Sequence, residues 1–435
     1  MQTIVTTRQG AVEGIRSTDG KTVIFKGVPY AKPPVGALRF QRPQPKEPWE
    51  GVLNCKQFSP ICPQADLRGM ELYGKEFYDG EEVVMNEDCL YLNIWTPEDA
   101  APDSKLPVLV WIHGGAFMHG HGSEKEFDGE GFAKKGVILV TVNYRVNVFG
   151  FFAHPDLEGE TEEGVSGNYG ILDQLAALRW VQENIAAFGG DGEKITLAGQ
   201  SAGCMSVQSI VSSPLSKGLI RAAVFQSGVS FHAFHSTPGK EALHGLSKKL
   251  MEHLSVNTIE ELRQVPAEAL RDAAYAVGGE GIGWCPHVDG WLLPQSNDDA
   301  VESGNTLDIP YMLGCTAGDI GGGDMLIKSS AGWCENQLKL GRTPSYFYFF
   351  CRDLPGDDAG AFHSSELWYE FETLPRCWRP WEPCDYELSR MMSGYWANFA
   401  KTGDPNGEGL PVWEPYTVEH PGKLSLGKTV EMRSV

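Results

Sequence analysis

Basic side chains are scarce in these 435 residues: 36 Lys and Arg stand against 57 Asp and Glu, a net charge of -21. The longest basic runs are pairs such as Lys134-Lys135 and Lys248-Lys249. Such pairs cannot neutralise a phosphate backbone, so no nucleic-acid partner is expected. The acid excess favours solubility and works against anionic substrates. No apolar stretch reaches the roughly 18 residues a membrane-spanning helix needs. The opening MQTIVTTRQG lacks the basic and then apolar blocks of a signal peptide. The expectation is therefore no membrane span and a cytoplasmic location. The ten cysteines include no C-x-x-C pair and no His spacing that reads as zinc ligation. They read as buried thiols with no metal role. There is also no internal repeat and no low-complexity tract.

What is present is globular: 42% hydrophobic residues, 11% aromatics, 51 Gly and 27 Pro. A length near three average domains is routinely kept in one body by large α/β enzymes, so residues 1–435 are read as a single domain. Residues 1–60 alternate short β-rich pieces with Pro and Gly, as in FKGVPYAKPPVGALRF. Five later runs are as apolar as a strand buried on both faces must be: 106–113, 136–144, 195–199, 222–228 and 309–314. Between them Ile171, Leu172, Leu175, Leu178, Val181 and Ile185 recur at helical steps, predicting a helix over 170–187 stopped by Gly189-Gly190. Strands alternating with helices predict a mostly parallel, doubly wound sheet. Leucines from Leu243 to Leu270 predict helices that break this alternation, a cap or insertion over about 235–280, and 386–399 is another helical stretch.

The strongest chemical signal is GQSAG at Gly199–Gly203, after the apolar run Ile195-Thr196-Leu197. A serine hydroxyl is a poor nucleophile unless held proud of the sheet on a tight strand-to-helix turn, which small flanking residues permit. Ser201 is thus the candidate nucleophile. Acyl transfer also needs donors for the developing oxyanion, and a Gly-rich loop offers unobstructed N–H groups. HGGAF at His113–Phe117 follows a strand and supplies Gly114 and Gly115, with the N–H of Ala202 as third donor. His113 reads as a loop stabiliser. A triad ordered Ser, acid, His places the base late, where only His287, His363 and His420 follow residue 253. His363, in GAFHSSELWYEF, is the choice. Asp319, just past the strand 309–314, is the preferred acid over Asp324, Asp308 and Asp289, and would fix the tautomer of His363.

These residues lie within blocks that resemble the type B carboxylesterases, the α/β-hydrolase branch that includes cholinesterases. The blocks are FKGVPYAKPPVGALRF at 25–40, EDCLYLNIW at 87–95, HGGAF, the long stretch 167–203, HVDG at 287–290, IPYMLGCTAGDIG and AFHSSEL. The resemblance implies an α/β-hydrolase fold, Ser201 as nucleophile, His363 as base, and Gly114, Gly115 and Ala202 as the oxyanion hole. Three departures stand out. The family's acid is usually Glu in a stretch like N-x-D-E-G, where this chain has T-A-G-D-I. Only 44 residues separate Asp319 from His363, a shortened stretch from which a more open site is expected. Gln200 stands where cholinesterases carry Glu, and DGEEVVMN before the second block offers no Trp to a cation, so choline esters are poor candidates. In secreted relatives Cys62 and Cys89 would be paired; here they are read as thiols.

Phe117, Met118, Phe231 and Trp284 are expected, as a group, to line the substrate pocket. The sequence thus predicts a serine carboxylesterase acting on a small-molecule ester without a cofactor. The rival readings are a specialised hydrolase of hydroxycinnamoyl esters, lactones or xenobiotic esters, and, from another class, an adhesion protein on the same fold. Intact Ser201 and His363 argue against the last.

Overall fold

The computed structural model describes residues 1–80, 82–229, 231, 237–278, 283–321 and 323–435. Its centre is an eleven-stranded sheet. In chain order the strands are β1 (Ile15–Arg16), β2 (Thr22–Pro29), β3 (Tyr91–Pro97), β4 (Leu106–Ile112), β5 (Ile138–Val142), β6 (Gly190–Gln200), β7 (Ala222–Gln226), β8 (Tyr311–Thr316), β9 (Tyr346–Phe350), β10 (Gly422–Leu426) and β11 (Val430–Ser434). Across the sheet the order is β11-β10-β9-β8-β7-β6-β4-β5-β3-β2-β1. From β5 through β4 to β10 every neighbour is parallel, and antiparallel strands flank both ends. The outermost pair at each edge, β1 with β2 and β10 with β11, is consecutive in the chain and joined by a short turn, whereas parallel neighbours need a longer crossover. Ile4–Thr6, Ala11–Glu13 and Val52–Asn54 form a separate small sheet.

Period-two alternation divides the core in two. On β4, Val108, Val110 and Ile112 belong to one buried cluster while Leu109 and Trp111 belong to the other. β7 splits the same way, Ala223 and Phe225 against Ala222 and Val224. Helices α1 (Tyr169–Asn184) and α2 (Ala202–Val211) contribute to the first cluster, which the helices α3 (Lys240–Leu254), α4 (Ile259–Arg263) and α5 (Ala267–Gly278) also join. The second is covered by α7 (Pro383–Thr402), whose Leu388, Met392, Trp396 and Phe399 face it. α7 starts at a proline in its first turn and stops at Gly403, φ 80°, a left-handed C-cap that any Cβ would strain.

The α/β-hydrolase architecture matches expectation with local shifts. The helix predicted over 170–187 is α-helical to Asn184 and then tightens to a 3-10 turn over Ile185–Phe188, ending at Gly189, φ 87°. The outer parts of the expected insertion, 235–236 and 279–280, fall outside the described residues. One long helix, α6 (Gly323–Lys339), has no counterpart in the sequence reading. Among the described residues, no helix is long and apolar enough to cross a membrane.

Candidate active site

β6 ends at Gln200 and α2 begins at Ala202, leaving Ser201 alone to make the turn, with φ 58° and ψ -125°. A non-glycine residue there is strained, of order 1–3 kcal/mol, and the surroundings enforce it. Ser201 N–H is tied to Gln226 O at 2.8 Å, and its carbonyl takes the N–H of Met205. The flanking glycines are steric necessities. A Cβ on Gly203 would sit 2.1 Å from Ile112 O, and one on Gly199 2.5 Å from Gly203 O. The GQSAG spacing thus lets α2 lie directly on the backbone of β4.

The loop after β4 turns through three successive left-handed residues, Gly115 (φ 98°), Ala116 (φ 54°) and Phe117 (φ 60°). A Cβ on Gly115 would meet His119 O at 2.1 Å. Its N–H groups stay available: among the described residues those of Gly114 and Gly115 meet no acceptor. The N–H of Ala202, in the first turn of α2, has no intrahelical partner by construction. Gly114 packs beside the nucleophile candidate, where a Cβ would be 3.1 Å from that of Ser201. His113 braces the loop from behind. Its ring stacks on Tyr144 at 4.3 Å, its Nδ1 bonds Gly114 O at 2.9 Å, and burial pulls its pKa down to about 3, so it is a neutral strut.

Asp319 and His363 arrive on two loops joined by a parallel bridge between Gly318 and Phe362. Gly318 N–H donates to Ala361 O in the same bridge. His363 Nδ1 is 2.5 Å from Asp319 Oδ1. Backbone N–H groups of Ile320 and Thr316 donate to Oδ1 and Oδ2 of the same carboxylate. Burial pushes Asp319 upward, but the charge and hydrogen bond of His363 outweigh it and hold the carboxyl below its usual range. The other ring nitrogen, Nε2, receives the amide of Gln200 at 3.2 Å. With Nδ1 donating to Asp319, Nε2 carries the free lone pair.

Ser201, Gly114, Gly115 and His363 line one cavity of about 230 Å³. Of the residues expected to shape the pocket, none is on its wall. Phe117 is fully buried against Phe151, and Trp284 is fully buried with its indole N–H donated to Ala274 O. Met118 is buried, and Phe231 packs toward Gly332 of α6. The left-handed turn explains Phe117: its side chain enters the core while Gly114, Gly115 and Ala116 line the cavity. The wall is built instead by Leu67, Met70, Tyr73, Phe77 and Tyr78 of a strap over 66–80, by Glu124, Glu126 and Phe127, and by Ile320 and Leu367, close in sequence to Asp319 and His363. Ile320 and Leu367 could have been found by adjacency to the motifs. The strap had no signal beyond its aromatics: Tyr73, Phe77 and Tyr78 lie just before the segment DGEEVVMN, which offers no Trp.

The strap is anchored from below. Buried Glu76 accepts from Arg379 Nε at 2.8 Å, Trp378 Nε1 at 3.0 Å and Trp368 Nε1 at 3.1 Å. Phe77 stacks on Trp368 at 5.5 Å, and Tyr73 donates its hydroxyl to His363 O at 3.3 Å. Behind Asp319, Glu366 is fully buried, with Gln226 and Ser227 as its polar neighbours. Burial and then the charge of Asp319 push it up to about 8. The three-donor cluster Glu382, Cys384 and Asp385 is neutralised by Arg352, at 2.8 Å from Glu382 and 2.7 Å from Asp385, and needs no metal to explain it.

A family profile described as "Carboxylesterase family" matches residues 1–323 and 322–434. The chain is 32% identical to mouse carboxylesterase 1D, over 98% of this chain and 90% of that one. It is 41% identical to the para-nitrobenzyl esterase of Bacillus subtilis (strain 168), over 72% of this chain and 62% of the other. Among solved structures, the Geobacillus stearothermophilus carboxylesterase EST55 superposes with a TM-score of 0.84 at 32% identity, covering 99% and 98% of the two chains. A thermophilic PNB esterase superposes equally well, at 31% identity over 100% and 98%. By profile, by sequence and by its α/β-hydrolase structure, the chain belongs to the carboxylesterase family.

Proposed function

We propose that this protein hydrolyses carboxylic esters through an acyl-enzyme formed on Ser201. His363 Nε2 takes the hydroxyl proton as Oγ attacks the ester carbonyl, and the oxyanion is held by the N–H groups of Gly114, Gly115 and Ala202. Collapse of the tetrahedral intermediate breaks the bond to the leaving alkoxide, which takes the proton back from His363. Water then gives its proton to His363 as it attacks the acyl carbonyl, and collapse of the second tetrahedral intermediate breaks the bond to Ser201 Oγ, which takes the proton from His363 as the acid leaves. Asp319 keeps the proton of the resting ring on Nδ1 and stabilises the imidazolium. No cofactor enters any step.

The observation that carries this reading is the His363 ring itself. It is fixed through Nδ1 by a buried carboxylate and turns Nε2 toward the end of β6, where Ser201 sits on its strained turn in the same cavity. Gln200 meets Nε2 at 3.2 Å at the end of β6, which holds that nitrogen next to the Ser201 turn. The test is initial rates on p-nitrophenyl esters from acetate to laurate, wild type beside Ser201→Ala. Hydrolysis by wild type with a loss of about 10³-fold or more in the variant, at an unchanged circular-dichroism spectrum, is expected. A folded Ser201→Ala protein with wild-type turnover refutes the assignment.

A further inference from the structure

The two margins of the central sheet differ. β1 is two residues long, too short to template another strand. β11 runs for five, Val430–Ser434, and among the described residues it has a neighbour on one side alone, β10. Its register with β10 is unbroken, and it carries no bulge and no proline to twist the margin away. The bonds that flank the ladder show which backbone groups are left over. Gly427 N–H donates to Thr429 O and Val435 N–H to Pro421 O, so by antiparallel alternation residues 429, 431, 433 and 435 turn their backbone toward β10. Val430, Met432 and Ser434 turn theirs outward. Ser434 O takes the Lys423 ammonium at 2.7 Å and keeps a second lone pair. The side chains of Glu431 and Arg433 leave one face of the strand, 52% and 58% exposed, and pair with each other at 2.7 Å. Val430 and Met432 leave the other, half-buried against the second core cluster.

We propose that β11 is a dimer surface, pairing antiparallel with β11 of a second copy of this chain about a two-fold axis through Met432. Charge selects both the occupant and the register. Any antiparallel pairing must set one outward residue, Val430, Met432 or Ser434, opposite another. With the axis through Met432, Glu431 lies across from the partner's Arg433 and Arg433 across from the partner's Glu431, so two ion pairs form in positions that do not share backbone bonds, where side chains approach most closely. Moving the axis to Glu431 sets the two copies of that carboxylate against each other. Moving it to Arg433 does the same with the two guanidinium groups, and an axis through Val430 or Ser434 shortens the overlap. The pattern Glu-Met-Arg is thus complementary to itself in one register alone. That register makes about six backbone hydrogen bonds. It also covers the half-exposed Met432 of each copy with that of the other. One strand serves both subunits, so the contact is isologous and closes at two. The exposed Glu431–Arg433 pair within one chain holds its partners weakly and leaves them free to re-pair across the axis.

Sedimentation velocity on the full chain, from micromolar to several hundred micromolar protein, reads the monomer–dimer constant. Wild type should dimerise within that range. Glu431→Arg and Arg433→Glu each set like charges across both contacts and should raise the dissociation constant about ten-fold or more. The double variant Glu431→Arg/Arg433→Glu restores opposite charges across the axis and should return to within about three-fold of wild type. Met432→Pro removes an outward N–H that β10 does not use, so the fold should persist while the dimer is lost. Should that variant fail to fold, the charge variants, which change exposed side chains, decide alone. A wild type that stays monomeric throughout overturns the proposal. So does a dimer that both single reversals leave within about three-fold of wild type, or a double variant no tighter than the single ones. A dimer that a folded Met432→Pro protein retains lies elsewhere on the surface and overturns it as well.

Discussion

Asp319→Asn tests the centre of the site, because both oxygens of the carboxylate have assigned work. Oδ1 takes His363 Nδ1 and the N–H of Ile320, and Oδ2 takes the N–H of Thr316. An asparagine amide therefore sets its NH2 against a backbone N–H in either orientation, at a cost of about 1–3 kcal/mol in stability. The orientations differ in chemistry. With the amide oxygen toward His363 the tautomer survives and only the charge is lost, the difference between a charge-assisted and a neutral hydrogen bond. That is about 1–2 kcal/mol, or about five- to thirty-fold in kcat. With the NH2 toward His363 the ring proton moves to Nε2, and the loss approaches the roughly 10⁴-fold known for such a tautomer error in a serine protease. Gln200 favours the first orientation while its NH2 faces Nε2, which it meets at 3.2 Å, whereas rotating that amide lets its oxygen accept from a protonated Nε2. The expected result is a loss in kcat of about five- to thirty-fold, with KM within about three-fold, measured on p-nitrophenyl acetate. Adding Gln200→Leu should deepen it toward 10⁴-fold, while Gln200→Leu alone costs little because Asp319 sets the tautomer by itself. An Asp319→Asn enzyme within about three-fold of wild type in kcat refutes the role of Asp319.

Two further changes probe the frame. Gly203→Ala drives a Cβ to 2.1 Å from Ile112 O and 2.7 Å from His113 O, backbone atoms that cannot swing aside. It should cost more than the usual 1–3 kcal/mol of overpacking and appear as a large fall in the thermal midpoint or as insoluble protein; a midpoint equal to wild type would contradict the packing. Glu366→Gln concerns pH. With its pKa raised from 4.5 to about 8, Glu366 binds more proton folded than unfolded across that window, so the wild type loses stability from this group as pH rises from 4.5 toward 8. The glutamine variant has no such loss. Its stability relative to wild type in urea unfolding should climb across that window by several kcal/mol at most, and a flat difference would show that Glu366 is not held neutral.

The central strands were legible because a parallel strand buried on both faces leaves an unbroken apolar run, and β4, β5, β6, β7 and β8 all have one. The boundaries were less so. The run 222–228 stops as a strand at Gln226, because Ser227 turns at φ 50° to begin the next loop. The helix α6 escaped notice because its buried face carries Ser329, Ser330, Asn336 and Gln337, which break the apolar period. Ser329 donates to Val229 O and Asn336 to Val301 O, so polar residues are buried there as hydrogen-bond partners. The pocket guess failed for a related reason. Phe117 and Met118 follow the glycines in sequence, but three left-handed residues reverse the sides, and Trp284 belongs to the packing of α5. Tyr73 and Phe77 reach the cavity because Glu76 is anchored some 300 residues away in sequence, on Trp368, Trp378 and Arg379. No local pattern could have announced that contact.

What brings residues 113, 201, 319 and 363 together is the register of the sheet. Ile112 pairs with Gly199, Gln200 with Gln226, Gln226 with Gly314, and Thr316 with Phe350. Each functional loop starts within a few residues of its strand's last pair, so the Gly-rich loop, the Ser201 turn and the Asp319 loop all emerge at the carboxyl edge, where parallel sheets place their ligands. The backbone is shared as well: Ser201 N–H bonds Gln226 O and Ser227 N–H bonds Gly314 O, so each turn is fixed by the strand next to it. The same holds for Asp319 and His363, 44 residues apart in sequence. Their loops are held by the Gly318–Phe362 bridge, which fixes where the ring meets the carboxylate without depending on how much chain lies between them. A change of length within that span should therefore alter the cavity wall, where Leu367 sits, before it alters the 2.5 Å contact between Asp319 and His363.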